Sequence, residues 1–191
     1  MSESELSAQQ ELSKDTTKPS FEIVETEVRG RTFGVLSTVS RDHRPHSTGV
    51  VYGVSSRKGP FSLYVTTNRD NKKARNVIRN PNVSFTIPIP RRFLRFLPPN
   101  CVQFQGRAEI VSFEDEDARN AFSRSLVLRK ILKLEEEHVG SKAVFIRIRP
   151  DSTLHTYGIG SSLVGLLRNI RAQSRVEIPS SRLQNDITDR Q

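Results

Sequence analysis

Residues 61–85 read FSLYVTTNRDNKKARNVIRNPNVSF, and this stretch decides the fold that we predict for the chain. Every second residue from Phe61 to Val65 is apolar, which is typical of a half-buried strand. A short basic helix follows and ends before Pro81, because the residue before a proline is pushed out of the helical region. Val83 and Phe85 then resume the two-residue period. The stretch therefore predicts a strand, a polar turn, a basic helix and a second strand.

Short polar and cationic side chains meet where the first strand gives way to the helix. Thr66 and Thr67 end the strand, and Lys72 and Lys73 lie in the first turn of the helix. Hydroxyls, lysines and the free backbone N–H groups of a helix start together suit a phosphate monoester. A solvated basic helix that joins two strands explains the same pattern. The residues alone leave both interpretations open.

The composition limits the kinds of partner and compartment. The chain has 191 residues, with 30 Lys and Arg against 21 Asp and Glu, a formal net charge of +9. This excess favours anionic partners such as phosphorylated cofactors, nucleic acid or anionic lipid. Cys101 is the only cysteine, so no internal disulfide forms and we expect a reducing, cytoplasmic location. No apolar run reaches the roughly 20 residues of a membrane span, and the polar N-terminus lacks the features of a signal peptide.

A single folded domain is predicted between two polar tails. Residues 1–20 are rich in Ser, Glu and Gln, so they have almost nothing to bury and we expect a disordered tail. The folded domain is predicted over residues 21–179, which is long enough for one hydrophobic core. Residues 180–191 are again polar and are predicted to be disordered.

The remaining apolar patterns predict mainly strands. Period-two alternation predicts further strands at 33–40, 46–54, 101–111, 143–148, 153–157 and 176–179. Helical spacing predicts an amphipathic helix over 115–134 and a short apolar helix over 161–170. Regular crossover helices do not separate the strands, so a parallel doubly wound sheet does not fit. We therefore predict a mainly β fold, a closed antiparallel barrel of six or seven strands with peripheral helices.

Two segments carry interpretations that the residues leave open. Ser47 and Gly49 give one face of the 46–54 strand little to pack, and such a glycine marks close approach of a ligand, a bulge or a barrel corner. The proline-rich segment at 91–97 alternates arginines with Phe and Leu. It is interpreted either as a flap over a substrate or anionic surface, or as a loop that packs on its own barrel or on a partner subunit.

The order of three segments resembles a known superfamily. GVLSTVSRDHRPHSTGVVY at 34–52, LYVTTNRDNKKARNVIRNPNVSF at 63–85 and VQFQGRAEIV at 102–111 are similar to the pyridoxamine 5′-phosphate oxidase-like proteins. These are FMN-binding split β-barrels, and the group includes the deazaflavin-dependent reductases. The most specific part is K-x-R-N-x-x-x-[ND]-P-x-V-[SA], which is matched from Lys73 to Ser84. The resemblance covers about residues 33–157.

The resemblance implies a homodimer with two cofactor sites at the subunit interface. It also implies that the strand beginning at His46 lines the ring system, that the strand end and helix start hold the phosphate, and that Gln105 approaches from the partner chain. The cofactor-binding residues expected on this basis are His46, Ser47, Thr48, Gly49, Val50, Thr66, Thr67, Lys72, Lys73, Asn76 and Gln105.

The function that the resemblance implies is a flavin-type oxidoreductase that acts on a small organic molecule. The cofactor is FMN or, alternatively, the 8-hydroxy-deazaflavin coenzyme F-420. A non-catalytic flavin-binding protein and a basic nucleic-acid-binding protein are the other hypotheses. Aromatic residues are not interleaved with Lys and Arg as stacking platforms require, which disfavours nucleic acid. His and Cys show no metal-ligand spacing, so we predict no metal site and identify no catalytic residue.

Overall fold

The computed structural model describes residues 19–91, 99–160 and 173–184. Its helices are α1 (Phe21–Arg29), α2 (Lys72–Arg79), α3 (Glu116–Ser123) and α4 (Leu126–Val139), with 3-10 turns at Gly140–Lys142 and Ser180–Arg182. Its strands are β1 (Phe33–Val39), β2 (Pro45–Val54), β3 (Leu63–Asn68), β4 (Asn82–Ile89), β5 (Asn100–Ser112), β6 (Ala143–Pro150), β7 (Thr153–Tyr157) and β8 (Gln173–Glu177). The predicted helix at 161–170, the flap at 91–97 apart from Arg91, and most of both predicted tails lie outside the described residues.

The eight described strands form one antiparallel sheet that closes on itself. The order β4-β1-β2-β3-β6-β5 is completed by a β4–β5 pairing, so these six strands make a barrel. Strands β7 and β8 extend the sheet from the amino-terminal half of β5, while the other half of β5 pairs with β6. The mainly β, antiparallel barrel with peripheral helices is therefore confirmed, with six strands in the barrel and two outside it.

Alternate residues of the barrel strands fill the interior. Tyr52 and Phe85 meet edge to face with their ring centroids 5.4 Å apart, and Phe85 stacks on Phe104 at 5.7 Å. The Tyr52 hydroxyl donates a hydrogen bond to Val28 O at 2.7 Å, so the barrel core also fixes α1. Burial raises the pKa of Tyr52 far above its ordinary value. Because successive side chains of a strand alternate between its two faces, the other residues of each barrel strand face outward.

A second apolar cluster lies outside the barrel, where α3 and α4 cover the sheet. It contains buried residues of β3, β6 and both helices: Tyr64, Ala118, Ala121, Phe122, Leu128 and Phe145. The single helix predicted over 115–134 is wrong, because the chain forms two helices that separate around Arg124 and Ser125. Serines flank this break, and the Ser123 hydroxyl donates to Asn120 O at 2.8 Å. Such local side-chain bonds compete with helix continuation.

One buried carboxylate joins the two ends of the described chain. Glu25 is 2% exposed and accepts hydrogen bonds from Arg29 Nη2 at 2.6 Å and Arg182 Nη2 at 2.9 Å. Arg57, in the turn between β2 and β3, reaches the same carboxylate at 3.3 Å. The Ser180–Arg182 turn, which lies at the start of the tail predicted from residue 180, contacts α1 through this cluster. The sequence pattern could not show a partner 157 residues away.

Replacing Glu25 tests this cluster. Burial raises the pKa of Glu25, but the hydrogen bonds and charges of Arg29 and Arg182 outweigh it, so the pKa lies below its ordinary value. We expect Glu25→Gln to lower the free energy of unfolding by about 3–5 kcal/mol near pH 7, because it removes the buried carboxylate that pairs with the half-buried guanidinium groups of Arg29 and Arg182. Since the folded-state pKa is depressed, the wild-type advantage is present above roughly pH 4 and is lost as the pH falls through the folded value.

Denaturant unfolding of both proteins between pH 7 and pH 3 measures this effect. Glu27→Gln is the matched control, because Glu27 is 41% exposed and its ion pair with Arg31 lies on the surface. Its cost should stay within about 1 kcal/mol. Equal stability of Glu25→Gln and the control at pH 7 would contradict a structural role for the cluster.

Candidate functional site

Strands β2 and β3 part from each other soon after they meet. Their register contains three pairs, which begin at Tyr52↔Val65, although β2 has ten residues. Strand β3 instead continues beside β6 as far as Asn68. Among the described strands, the amino-terminal half of β2 therefore pairs with β1 and leaves its other edge open.

The backbone of β2 directs polar groups into this opening. Tyr52 N donates to Thr32 O at 2.9 Å, so the N–H and C=O groups of Tyr52 point towards β1. Because neighbouring residues of a strand alternate in direction, Ser47 and Gly49 point their backbone groups away from β1, on the side where this part of β2 has no partner among the described strands. These donors and acceptors are available to a polar ligand beside β3.

Helix α2 begins soon after β3 ends. Asn71 occupies the N-cap position, and its side chain makes no capping hydrogen bond, so within the described ranges this residue leaves the first backbone N–H groups available. Lys72 is exposed and Lys73 is half-buried in the first turn. The helix dipole and the two ammonium groups together give this corner a positive potential. The phosphate site that the sequence predicts at this corner stays a prediction.

The two threonines at the end of β3 face opposite ways. Thr67 is 2% exposed, and its Oγ1 accepts a hydrogen bond from Asn71 Nδ2 at 3.0 Å, so it fixes the turn before α2. Thr66 is 9% exposed and lies on the outer face with Tyr64. Its Oγ1 is buried and has no hydrogen-bond partner in the described part of the chain. Thr66 is therefore the threonine that a ligand would satisfy.

Lys73 is coupled to an acid that the sequence analysis did not identify. Burial lowers the pKa of Lys73, and the carboxylate of Glu135 on α4 opposes that effect. In turn, burial raises the pKa of Glu135, while the charges of Lys73 and His138 oppose the rise. Both groups lie in a partly desolvated corner, where charges act on each other more strongly than in water.

The five residues predicted to line a ring do not share one face of β2. Val50 is 6% exposed and packs in the barrel core, and alternation puts His46 and Thr48 on the same side. His46 Nδ1 lies 3.4 Å from Thr48 Oγ1. Ser47 and Gly49 lie on the outer face. A strand presents only alternate side chains to one ligand, so the side chains of His46, Thr48 and Val50 do not face a ligand that contacts Ser47 and Gly49.

An aromatic ring covers the outer face of Gly49. A Cβ at Gly49 would lie 3.1 Å from ring atoms of Phe33, and Phe33 itself is 51% exposed. Ser47 Oγ and Ser37 Oγ are 2.8 Å apart on the same face. The glycine thus allows Phe33 to approach closely, in addition to any ligand.

Gln105 lies on the same outer face but far from Ser47 in one chain. Ser47 pairs with Ser37, Ser37 with Ser84, and Ser84 with Gln105. Three steps at about 4.8 Å each make the row about 14 Å long. Gln105 and Ser47 of one chain therefore cannot contact the same small group.

Asn76 has a structural contact. It is 2% exposed, and its Nδ2 donates to Thr38 Oγ1 at 2.9 Å. The Thr38 hydroxyl in turn donates to His46 O at 3.3 Å. Asn76 thereby joins α2 to β1 and β2, and its side chain does not face the opening.

Sequence reasoning missed Phe33 and Glu135, although each left a signal. Phe33 begins a strand whose buried residues are the even-numbered ones, so alternation places its ring outside. Glu135 continues the spacing of Leu128, Ile131 and Leu132 on the inward stripe of α4. An acid on an apolar stripe is unusual enough to mark a site.

An antiparallel barrel that opens between two strands, with a cationic helix start at the opening, defines a split-barrel protein. The chain belongs to the pyridoxamine 5′-phosphate oxidase family, whose model, described as "Pyridoxamine 5′-phosphate oxidase", matches residues 22–157. The resemblance in the sequence is thereby confirmed. No curated protein matches the chain.

Solved structures share the fold. A FAD-binding protein from Mesorhizobium loti has a TM-score of 0.55 and 20% identity, with 73% of this chain and 94% of that chain covered. The heme storage protein HutZ from Vibrio cholerae has a TM-score of 0.57 and 18% identity over 73% and 96% of the two chains. A conserved hypothetical protein from Mycobacterium tuberculosis has a TM-score of 0.54 and 22% identity over 75% and 86%. At such identities the likeness supports the fold alone.

Two further observations concern the described residues. Within 19–91, 99–160 and 173–184, no group of three or more His, Cys, Asp or Glu residues is placed to hold a metal ion. No helix in these ranges has the length and apolar character needed to cross a membrane.

Replacing Asn76 separates a structural from a binding role. We expect Asn76→Ala to lower the free energy of unfolding by about 1–3 kcal/mol, because it leaves the buried Thr38 hydroxyl without its donor. Arg79→Ala, on an exposed position of the same helix, should change it by less than about 0.5 kcal/mol. Urea unfolding measures both. Unchanged stability together with weaker flavin binding would instead assign Asn76 to the ligand.

Proposed function

We propose that this protein binds a flavin-type cofactor at the opening between β2 and β3 and uses it to oxidise or reduce a small organic molecule. The observation that carries the proposal is the corner where β3 ends. There the start of α2, with Lys72 and Lys73, follows the buried Thr66 hydroxyl, which has no hydrogen-bond partner among the described residues. Family membership supports the same cofactor class.

The residues at the opening fit a flavin in two parts. The helix start and its lysines suit a terminal phosphate, and the backbone groups of Ser47 and Gly49, which have no strand partner on this side in the described part of the chain, suit the polar edge of a ring. When bound, a flavin supplies hydride and electron transfer. The chain's own groups bind and orient it, and Phe33 limits the space over Gly49.

FMN is our first choice of cofactor, and the 8-hydroxy-deazaflavin coenzyme is the alternative. Both carry a phosphate, so the α2 corner accepts either one. The absorption spectrum of the purified protein distinguishes them, because a protein with bound FMN is yellow and shows flavin absorption bands, whereas the deazaflavin absorbs in the violet. A protein that holds either cofactor but turns over no substrate would be a non-catalytic flavin carrier.

The single cysteine suits a reducing, cytoplasmic location.

We also propose a homodimer that is formed through the outer face of β2, β1, β4 and β5. Cross-strand rows on this face are uncharged: Ser47, Ser37, Ser84 and Gln105 in one row, and Gly49, Val35, Thr86 and Gln103 in the next. Charge is depleted at the centres of protein interfaces, and the exposed ring of Phe33 adds an apolar anchor. In such a dimer the Gln105 side chain is free to approach the partner's cofactor.

Replacing Lys73 tests the phosphate site. We expect Lys73→Ala to weaken FMN binding by about tenfold to a hundredfold, because it removes a charge-assisted hydrogen bond in a desolvated corner. Fluorescence titration of flavin with the apoprotein gives the dissociation constants. The deazaflavin coenzyme is titrated in parallel.

Arg79→Ala is the control, since it removes the same charge from an exposed position of α2. It should alter affinity by no more than about threefold. If Lys73→Ala and the control bind FMN equally well, Lys73 is not a phosphate ligand. If the wild-type protein binds neither cofactor, the proposed function fails.

A charge on Phe33 tests the dimer. We expect the wild-type protein to run at about twice the 21.7 kDa chain mass, and Phe33→Asp to run near the single-chain mass because a buried charge opposes association. Light scattering after size exclusion measures both. Ile78→Asp, on a similarly exposed apolar residue of α2, should leave the mass unchanged. A wild-type monomer, or a dimer that survives Phe33→Asp, would contradict the proposed face.

A further inference from the structure

Helix α4 brings an acid to the outer end of β3. Leu128, Ile131 and Leu132 pack in the cluster over Tyr64 and Phe145. Glu135 lies one turn further along the same stripe of α4. On β3, Thr66 lies two residues after Tyr64 and therefore on the same face of the strand. The helix continues to Val139, and the turn after it bonds to the end of β3, where Arg69 N donates to Lys142 O at 2.9 Å. These contacts bring the carboxyl-terminal half of α4, which carries Glu135, to the end of β3 that contains Thr66.

Polar atoms at this position lack partners. Glu135 Oε2 and Thr66 Oγ1 are both buried, and neither has a hydrogen-bond partner in the described part of the chain. The charge of Lys73 opposes the rise in the pKa of Glu135, but no ion pair within 4.0 Å joins the two residues in the described structure. Buried polar groups left unpaired are costly. A carboxylate, a hydroxyl and an ammonium group thus share one corner without satisfying one another.

The unpaired groups restrict the chemistry of what binds there. Lys73 and the start of α2 donate hydrogen bonds, so they need acceptors such as phosphate oxygens. A carboxylate accepts, so Glu135 needs a donor, which a phosphate dianion or another carboxylate cannot supply. A hydroxyl-bearing chain next to the phosphate supplies that donor and also an acceptor for Thr66.

We propose that Glu135 is a cofactor-positioning residue that accepts a hydrogen bond from a hydroxyl of the polyol chain between the flavin ring and its phosphate. This inference rests on the proposed function and makes it more specific. The corner of Thr66, Lys73 and Glu135 recognises a polyol phosphate. It does not suit a ligand whose polar groups are carboxylates alone, because Glu135 would repel them.

A simpler role for Glu135 predicts the opposite effect. If Glu135 only balances the charge of Lys73, it competes with the phosphate for that lysine. Removing Glu135 would then strengthen FMN binding. In our proposal its removal weakens FMN binding, because a charged acceptor for a ligand hydroxyl is lost.

The experiment compares two ligands on three proteins. The ligands are FMN and the same ring joined to phosphate through an unsubstituted pentyl chain, and the proteins are wild type, Glu135→Ala and Glu135→Gln. If the wild type binds only the deazaflavin coenzyme, the corresponding deazaflavin pair is used. Calorimetric titration gives the ratio of the two dissociation constants, which does not depend on turnover.

We expect the wild type to prefer FMN over the pentyl analogue by about tenfold or more, since a hydrogen bond to a charged group has this strength. Glu135→Ala should bring the ratio to within about twofold of unity, and Glu135→Gln should give an intermediate ratio because an amide oxygen is a weaker acceptor. Glu137→Gln is the matched control, since Glu137 lies on the solvent side of α4 and pairs with Lys133 at 3.8 Å. It should keep the wild-type ratio. Glu135→Gln retains the shape of the side chain, so it reports on binding even if Glu135→Ala folds poorly.

Two results would overturn the inference while the proposed function stands. One is a preference for FMN in Glu135→Gln and Glu135→Ala equal to that of the wild type. The other is tighter FMN binding by both variants, which would identify Glu135 as a competing charge. A wild-type protein that binds neither the flavin nor the deazaflavin pair would overturn the proposed function and this inference with it.

Discussion

The separation of β2 from β3 is the constraint on which the rest of the site depends. Strand β3 pairs with β2 over three residues and with β6 over six, so its end turns away from β2. The separation leaves one edge of β2 with unpaired backbone groups and carries the chain to the start of α2. If β2 and β3 paired along their whole length, those backbone groups would bond to one another and leave no edge for a ligand.

Charges of both signs lie near the opening, and in our proposal the positive ones attract an anionic ligand while the negative one selects among such ligands. Two lysines and the helix dipole attract an anion, and the net charge of the chain is +9, so an anionic ligand meets a favourable field at long range. Among the described residues, the carboxylate of Glu135 acts on Lys73, and in our proposal it disfavours ligands that offer acceptors alone. A site with both signs of charge discriminates among anions more sharply than a purely cationic site does.

Local patterns predicted the strands and α2 well, since one buried face imposes alternation and Pro81 ends the helix. The proposed phosphate corner, which stays a prediction, is made of residues that lie close together in the sequence. The site residues on β2 were only partly predictable, because a motif lists consecutive residues whereas a strand divides them between two faces. The break at Arg124 depends on local serine bonds, and Glu135 becomes relevant only once α4 lies across β3. Contacts of this kind depend on tertiary packing that one sequence does not reveal.

The Glu25 cluster has a consequence for synthesis on the ribosome. Glu25 leaves the exit tunnel early, and Arg182 is synthesised 157 residues later. During that interval the Glu25 carboxylate lacks one of its arginine partners. The closing β4–β5 pair and β6 also form late, because residues 100–112 and 143–150 must first emerge. Non-local pairing of this kind slows folding, and the nascent amino-terminal part exposes strand edges that chaperones bind. The bond between Glu25 and Arg182 can therefore form only after residue 182 has been synthesised.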